Sequence, residues 1–353
     1  MLRLAPAPHS MPLRQLLAPG EQRVGVLSEL PGVLREHGVR PTAVLRRAGL
    51  APEALAEREH RVPYAAVGPL LAECVRATGC EHFGLLVGGR SRLEHFGLAG
   101  EVAGSCTTVG QGIEAFASFH WLNSSGGTAY LAREGSLAAL GYAIFEPGIS
   151  AGADQIHDLI AATGLQILRS LSGRDAWAPR EVRLARSRPD DTAPYREFFA
   201  APLKFDADAT CLTYPVNYAR AAVPGGDETR HRVLMRRLLA LGQEAMLPRL
   251  LRTLRVALIF GLVSGDEVAA AMGLSRRTLN RRLAEAGTNY RRALDEVRFE
   301  TARSLLQDTA LPVSEIAAAL AYSDPRSFVR SFRRWSGKAP SEWRRTHAAA
   351  LQS

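Results

Sequence analysis

Between positions 273 and 287 the chain reads GLSRRTLNRRLAEAG, which gathers four arginines and an asparagine into one short stretch. The arginine fork fits the O6/N7 edge of guanine, and the asparagine amide fits the N6/N7 edge of adenine. Both side chains also bind phosphate oxygens, so the residue types alone do not separate base reading from backbone clamping. Spacing narrows the choice. Leu279 and Leu283 lie four apart, the signature of a helix with one buried side. At about 100° per residue, Arg277 and Arg281 point almost directly away from that leucine pair, with Thr278 and Asn280 flanking them.

Such a helix needs a scaffold that presents it outward, and the chain contains that scaffold twice. EVAAAMGLS (267–275) and EIAAALAYS (315–323) agree at five of nine positions at an offset of 48 residues. After a one-residue slip Leu279 and Leu283 match Phe328 and Phe332, and Arg281 matches Arg330. Each copy reads as a helix-turn-helix. Val268 and Met272 anchor a short first helix, Ala269 is small where the helices cross, Gly273 suits the turn, and Ser275 caps the second helix. Ile316, Leu320, Ala317 and Ser323 repeat that arrangement, followed by Pro325 in the first turn. A lone arginine-rich helix is most often just a solvated face; two copies with the same anatomy make that explanation untenable.

Between the copies, NYRRALDEVRFETARSLLQDT predicts a helix capped by Asn289 and ending near Asp308. Its inner stripe is Leu294, Val297, Thr301 and Leu305, with Arg298 and Glu300 outside. Nineteen residues at ~1.5 Å each span about 28 Å. That approaches the ~34 Å between successive major-groove faces of B-DNA. One chain can thus offer two reading helices to one side of a duplex.

Charge agrees with this division. Residues 230–353 carry 22 Lys/Arg against 11 Asp/Glu, a net of +11, whereas residues 1–229 carry 22 against 24. The asymmetry points to a polyanion partner for the C-terminal part alone. Arginine outnumbers lysine 42 to 2, which fits either forked recognition or an arginine-rich codon usage. Of 353 residues 46% are hydrophobic and 22% charged, enough for two packed domains.

Other chemistry has weaker support. Cys74, Cys80, Cys106 and Cys211 make no metal spacing, and buried free thiols are expected. There is no Walker loop, G-x-S-x-G or H-E-x-x-H, and no cofactor or metal is expected. GLLVGG lacks the spacing of a dinucleotide site, and DQIHD scatters its groups around a helix. His120, Trp121 and Tyr142 suit a pocket lining or a core, so no ligand residue is assigned. The start of the chain does not read as a signal peptide, and its longest apolar run, VALIFGLV, is far too short for a bilayer. A cytoplasmic protein without membrane contact is expected.

Residues 1–24 read as a loose lead, then short helices follow with Pro41 and Pro52 in first turns. Val67, Leu70, Leu71, Cys74 and Val75 mark an amphipathic helix, and Thr108 caps another that buries Val109, Ile113 and Phe116. Strands are predicted at 128–133 and 137–145, in REVRLAR and in ATCLTYP, with helices at about 153–171 and in APYREFFA. AAVPGGDE breaks the pattern, and no strand is expected after Thr229. The fold class is therefore an α+β N-terminal domain followed by an all-α domain with two helix-turn-helix units joined by a long helix. The expected divisions are 1–225, a linker with leading helices at 226–262, and 263–353.

Residues 264–345 resemble the DNA-binding domain of the AraC/XylS family of bacterial transcription regulators. The resemblance rests on EVAAAMGLSRRTLNRRL, the connecting helix, and EIAAALAYSDPRSFVRSFRRWSGKAPSEWRR with its Phe-x-Arg-x-Phe core and Gly-x-x-Pro close. Ala321 departs from the glycine usual before the aromatic, which implies some turn strain. Residues 25–225 more weakly resemble the effector half of the ornithine-utilisation and VirS-type subgroup, through GVLSELPGVLREHGV, RVPYAAVGPLLAECVRATG and FGLAGEVAGSCTTVGQGIEAF. The resemblance implies base contacts from Arg277, Asn280 and Arg281 and from Arg326, Val329 and Arg330. It also implies double-stranded operator DNA, a small-molecule effector, RNA polymerase and a second copy of the chain as partners, with activation as the usual outcome. Two alternatives stay open: an effector-independent architectural binder, and an enzyme fused to a DNA module. For the latter, GSCTTVG around Cys106 lacks the Pro-Cys-His run of repair methyl acceptors.

Overall fold

The computed structural model describes residues 20–144, 151–241, 246–259, 261, 263–272, 274–308 and 311–348; the predicted lead up to residue 19 and the turn residue Gly273 lie outside them. The chain folds as two units that divide near residue 242. The expected linker region 226–262 is shared between them: Glu228–Leu241 folds with the first and Met246–Ile259 with the second.

The N-terminal unit begins with β1 (Glu21–Arg23), α1 (Leu30–Glu36), α2 (Pro41–Arg47), β2 (Arg61–Pro63), α3 (Val67–Thr78), α4 (Phe83–Gly88), α5 (Gly97–Ser105) and α6 (Val109–Ser118). It continues through β3 (Gly127–Glu134), β4 (Leu137–Ile144), α7 (Ala153–Ser172), β5 (Glu181–Arg183), α8 (Ala193–Phe199), β6 (Leu203–Lys204), β7 (Thr210–Pro215) and α9 (Glu228–Leu241). β1 and β2 pair alone, and the main sheet runs β3-β4-β7-β5-β6, antiparallel except for the β5–β6 pair. Helix and hairpin periodicity placed most of these elements. Thr108 caps α6 in a capping box with Gln111, and Gly79, with φ of 67°, closes α3. Pro41 opens α2, but the chain around Pro52 forms only turns.

α7 organises the unit. Leu165, Leu168 and Leu171 face the sheet core with Val182 and Leu212, while Ile156 and Leu159 join the core of α1 to α4 with Leu70 and Phe83. GLLVGG is explained by this packing. A methyl at Gly84 or Gly88 would run into the carbonyl of Gln155 or Leu159, so α4 crosses α7 only because both positions lack Cβ. The DQIHD groups disperse as expected. Asp158 is fully buried and accepts from Arg186 and from Tyr195 (2.7 Å), while His157 meets Thr210 Oγ1 at 2.9 Å. No metal-holding cluster occurs among the described residues.

The C-terminal unit has no strand among its described residues. It comprises α10 (Met246–Ile259), α11 (Gly265–Ala271), α12 (Arg276–Glu285), α13 (Tyr290–Asp308), α14 (Val313–Ala319), α15 (Pro325–Ser336) and α16 (Pro340–Ala348). Two separate cores form. Leu250, Leu254, Val268, Met272, Leu279 and Leu283 pack with the start of α13, and Ile316, Leu320, Phe328, Phe332 and Trp343 pack with its end. α13 therefore lacks the single stripe expected of it. Ala293, Leu294 and Val297 serve the first core, and Phe299, Ala302 and Leu306 the second, while Thr301 and Leu305 are only half-buried.

Candidate functional site

The two helix-turn-helix motifs are α11–α12 and α14–α15. Ser275 caps α12 by accepting from Thr278 N, as its position predicts, and Asn289 caps α13 by accepting from Arg292 N at 3.0 Å. In the second motif the cap is Asp324 instead of the expected Ser323. Its carboxylate accepts from Ser327 N at 2.8 Å and from Ser327 Oγ at 2.6 Å. Those two bonds hold the Asp324 carboxyl below its ordinary range. The displaced cap accounts for the one-residue slip between the repeats: caps 275 and 324 are 49 apart, and so are Leu279 and Phe328.

With Leu279 and Leu283 fully buried, Arg277, Asn280 and Arg281 of α12 are exposed. Phe328 and Phe332 do the same for α15, where Arg326 and Arg330 are exposed and Val329 is half-buried. Arg281 pairs with Glu285 at 2.9 Å, a contact between exposed groups worth only tenths of a kcal/mol. Arg330 donates to Ser327 Oγ at 2.8 Å, so a chain of bonds from the Asp324 cap holds its fork.

Other arginines are committed to structure. Arg276 lies close to the buried face of α12, its guanidinium 4.5 Å from the Tyr290 ring centroid. Arg298 is not an outward residue of α13 as its sequence position suggested. Its Nε donates to Leu320 O at 2.9 Å and its second fork nitrogen to Ala321 O at 2.8 Å, with the guanidinium 4.3 Å from the Tyr322 ring. Leu320 is the C-cap of α14 and Ala321 the residue after it, where no further helical N–H arrives to meet the carbonyls. Ala321 sits there with φ of 54°, in the left-handed region that glycine adopts freely and alanine does not. Tyr322 N to Ala317 O and Ala321 N to Ala318 O complete a Schellman turn around it. Arg334 ties α15 to α13 through Asp295 at 2.9 Å.

Assigning α9 to the N-terminal unit also corrects the charge division. Arg230, Arg232, Arg236 and Arg237 ride on that unit, and residues 243–353 keep 18 Lys/Arg against 11 Asp/Glu, a net of +7. The surplus persists but is smaller.

The N-terminal unit holds a cavity of about 80 Å³ between α7, the sheet and β1. It lies where the unit's two apolar cores meet, with Leu27 and Ile156 from one and Phe116 and Leu140 from the other. His120 and Tyr142 line it, their rings edge to face at 5.1 Å, whereas Trp121 does not. The four cysteines are buried free thiols. Burial pushes the Cys106 thiol up to about 11, although His231 Nδ1 lies 3.6 Å away, which leaves it protonated and a poor nucleophile.

A family model for the arabinose-binding domain of AraC transcription regulators matches residues 38–223, and a helix-turn-helix domain model matches residues 268–346. The ornithine utilization regulator of Pseudomonas aeruginosa is 26% identical over 326 residues, covering 91% of this chain and 95% of its own. The regulator VirS of Mycobacterium tuberculosis is 27% identical over 319 residues, covering 88% and 93%. The crystal structure of the regulator CdpR from Pseudomonas aeruginosa is 24% identical, covers 91% of this chain and 98% of its own, and superposes with a TM-score of 0.46. With one family's effector-domain model spanning more than half of the chain, and a double helix-turn-helix behind it, the chain belongs to the AraC family of transcription regulators.

Proposed function

We propose that Arg277, Asn280 and Arg281 read base edges in one half of a bipartite operator, and that Arg326, Val329 and Arg330 read the other. A small molecule held by the N-terminal unit sets the activity, and the regulator acts in the cytoplasm as an activator that contacts RNA polymerase, as a homodimer on tandem sites. One observation carries the reading: two helices, each buried through a pair of apolar residues four apart, expose equivalent arginines at 277 and 326 and at 281 and 330. A merely solvated basic face has no reason to repeat that pattern. Near-identical use of an arginine at matching places in two linked motifs is what a bipartite major-groove site requires.

The test is a binding selection on randomised duplexes with wild type, Arg281→Ala and Arg330→Ala. Each variant should lose roughly 1–3 kcal/mol on the preferred site and relax sequence preference in a different half. Uniform weakening across all sequences would make both arginines phosphate clamps and end the readout assignment.

A further inference from the structure

Resting on the effector reading above, we propose that the cavity of the N-terminal unit takes an uncharged, mainly apolar molecule and rejects free amino acids and sugars. The cavity has no Asp, Glu, Lys or Arg among its lining residues. Nearby charges are already engaged elsewhere: Arg23 binds Glu59 and the His95 carbonyl, and Asp158 binds Arg186 and Tyr195. A carboxylate or ammonium entering this space would lose its water and meet no carboxylate, ammonium or guanidinium in the wall, and a free amino acid brings both charges.

A sugar fares little better. Thr210 Oγ1 is spent on His157 (2.9 Å) and on Ala185 N (3.0 Å), and Thr163 Oγ1 on Ser91 Oγ (2.8 Å). The Gln22 amide donates to Arg23 O at 2.9 Å, and the Tyr142 hydroxyl to Ser124 Oγ at 3.4 Å. Several sugar hydroxyls would have to displace these bonds or stay unmet. The rest of the wall is mainly aliphatic and aromatic carbon, from Leu140, Leu212, Ile160 and Phe116, with the His120 imidazole and the Tyr64 phenol as its remaining polar groups. At roughly 10–15 Å³ per water, the volume of about 80 Å³ admits on the order of five to eight non-hydrogen atoms, the size of a benzene ring with a small substituent.

Thermal unfolding of the full chain is measured with benzyl alcohol, indole, sodium benzoate, L-ornithine and L-arabinose. A ligand of the folded state at free concentration L stabilises it by RT ln(1 + L/Kd) and so raises Tm with concentration. Benzyl alcohol and indole should raise it, and benzoate, the charged counterpart of the alcohol, should bind at least ~10-fold more weakly. Ile160→Trp, which fills the cavity from α7, should remove the response. Ile160→Ala, which enlarges it, should favour indole over benzyl alcohol and keeps the test valid if the tryptophan variant does not fold. The proposal is overturned if neither neutral probe stabilises the chain, or if Ile160→Ala leaves their ranking unaltered. Stronger binding of ornithine, arabinose or benzoate that Ile160→Trp abolishes also overturns the ligand class, while leaving the effector reading standing. Neutral probes that bind at the cavity yet leave DNA affinity unaltered support the class and sink the effector reading.

Discussion

Arg298 is the residue on which sequence and structure differ most sharply, and replacing it separates two accounts of the second helix-turn-helix. As an outward residue of α13 it would touch phosphate or nothing; as it stands it joins α13 to the turn between α14 and α15. Arg298→Ala removes two charge-assisted bonds to Leu320 O and Ala321 O and a stacked contact with Tyr322. Bonds from a charged group contribute about 1.5–3 kcal/mol each, and a partly exposed cation on a ring about 0.5–1. Because Arg298 is half-exposed, the lower ends apply, giving a loss of about 3.5 kcal/mol. Amide hydrogen exchange is the appropriate assay, because it localises the lost stability to one helix-turn-helix. Protection should fall across residues 311–336 and stay unaltered in α11 and α12. Operator binding should lose its preference in the second half-site alone. Arg298→Lys keeps the charge but not the fork, and should restore about half of the loss. If Arg298→Ala leaves exchange untouched and instead lowers the salt slope of DNA binding by about 0.9, the residue contacts phosphate and the clamp is wrong.

Ala321→Gly should raise stability by about 0.5–1 kcal/mol, since left-handed strain of ~1–2 kcal/mol outweighs the entropy glycine loses on folding; a lower Tm would refute the strain. Burial holds His157 at about 4, below the ~6.5 of the unfolded chain, so unfolding takes up a proton between those values and stability falls with pH. Between pH 7 and pH 5 wild type should lose about 2 kcal/mol more than His157→Gln in urea titrations, and equal losses would show that the imidazole is not held neutral. The fragment 243–353 should bind DNA with a log–log salt slope of about −0.9 per phosphate neutralised, and binding of equal strength by residues 1–242 would contradict the division of labour.

Local patterns were legible where one helix or hairpin serves one core. The hairpin Gly127–Ile144, the 20-residue α7 and the caps Thr108, Ser275 and Asn289 follow from periodicity and hydrogen-bonding chemistry within a few residues of each site. The exposure of Arg277 and Arg281 follows equally directly from the buried leucines. β1, β2 and β6 were not legible, because EQR, RVP and LK are too short to show alternation. Two misreadings had usable signals. The slip between repeats already required the second cap to move by one residue, from Ser323 to Asp324. Arg276 lies only about 40° from the centre of the leucine face, so an inward, stacked role was open to it.

Arg298 and the cavity carried no such signal, for a common physical reason: each is made by groups distant in sequence. The acceptors of Arg298 are backbone carbonyls more than twenty residues ahead, presented where Ala321, just past the C-cap of α14, takes a glycine-like conformation. α13 can deliver that arginine because it rotates its buried side between the two cores, ending the first at Val297 and starting the second at Phe299, with Arg298 between them. A helix read as one continuous stripe hides this switch. It also makes α13 more than a spacer: the residue at its change of face locks the turn that leads into α15, so Arg298 joins the Arg334–Asp295 pair and the Phe299 core as a link between α13 and the second reading helix.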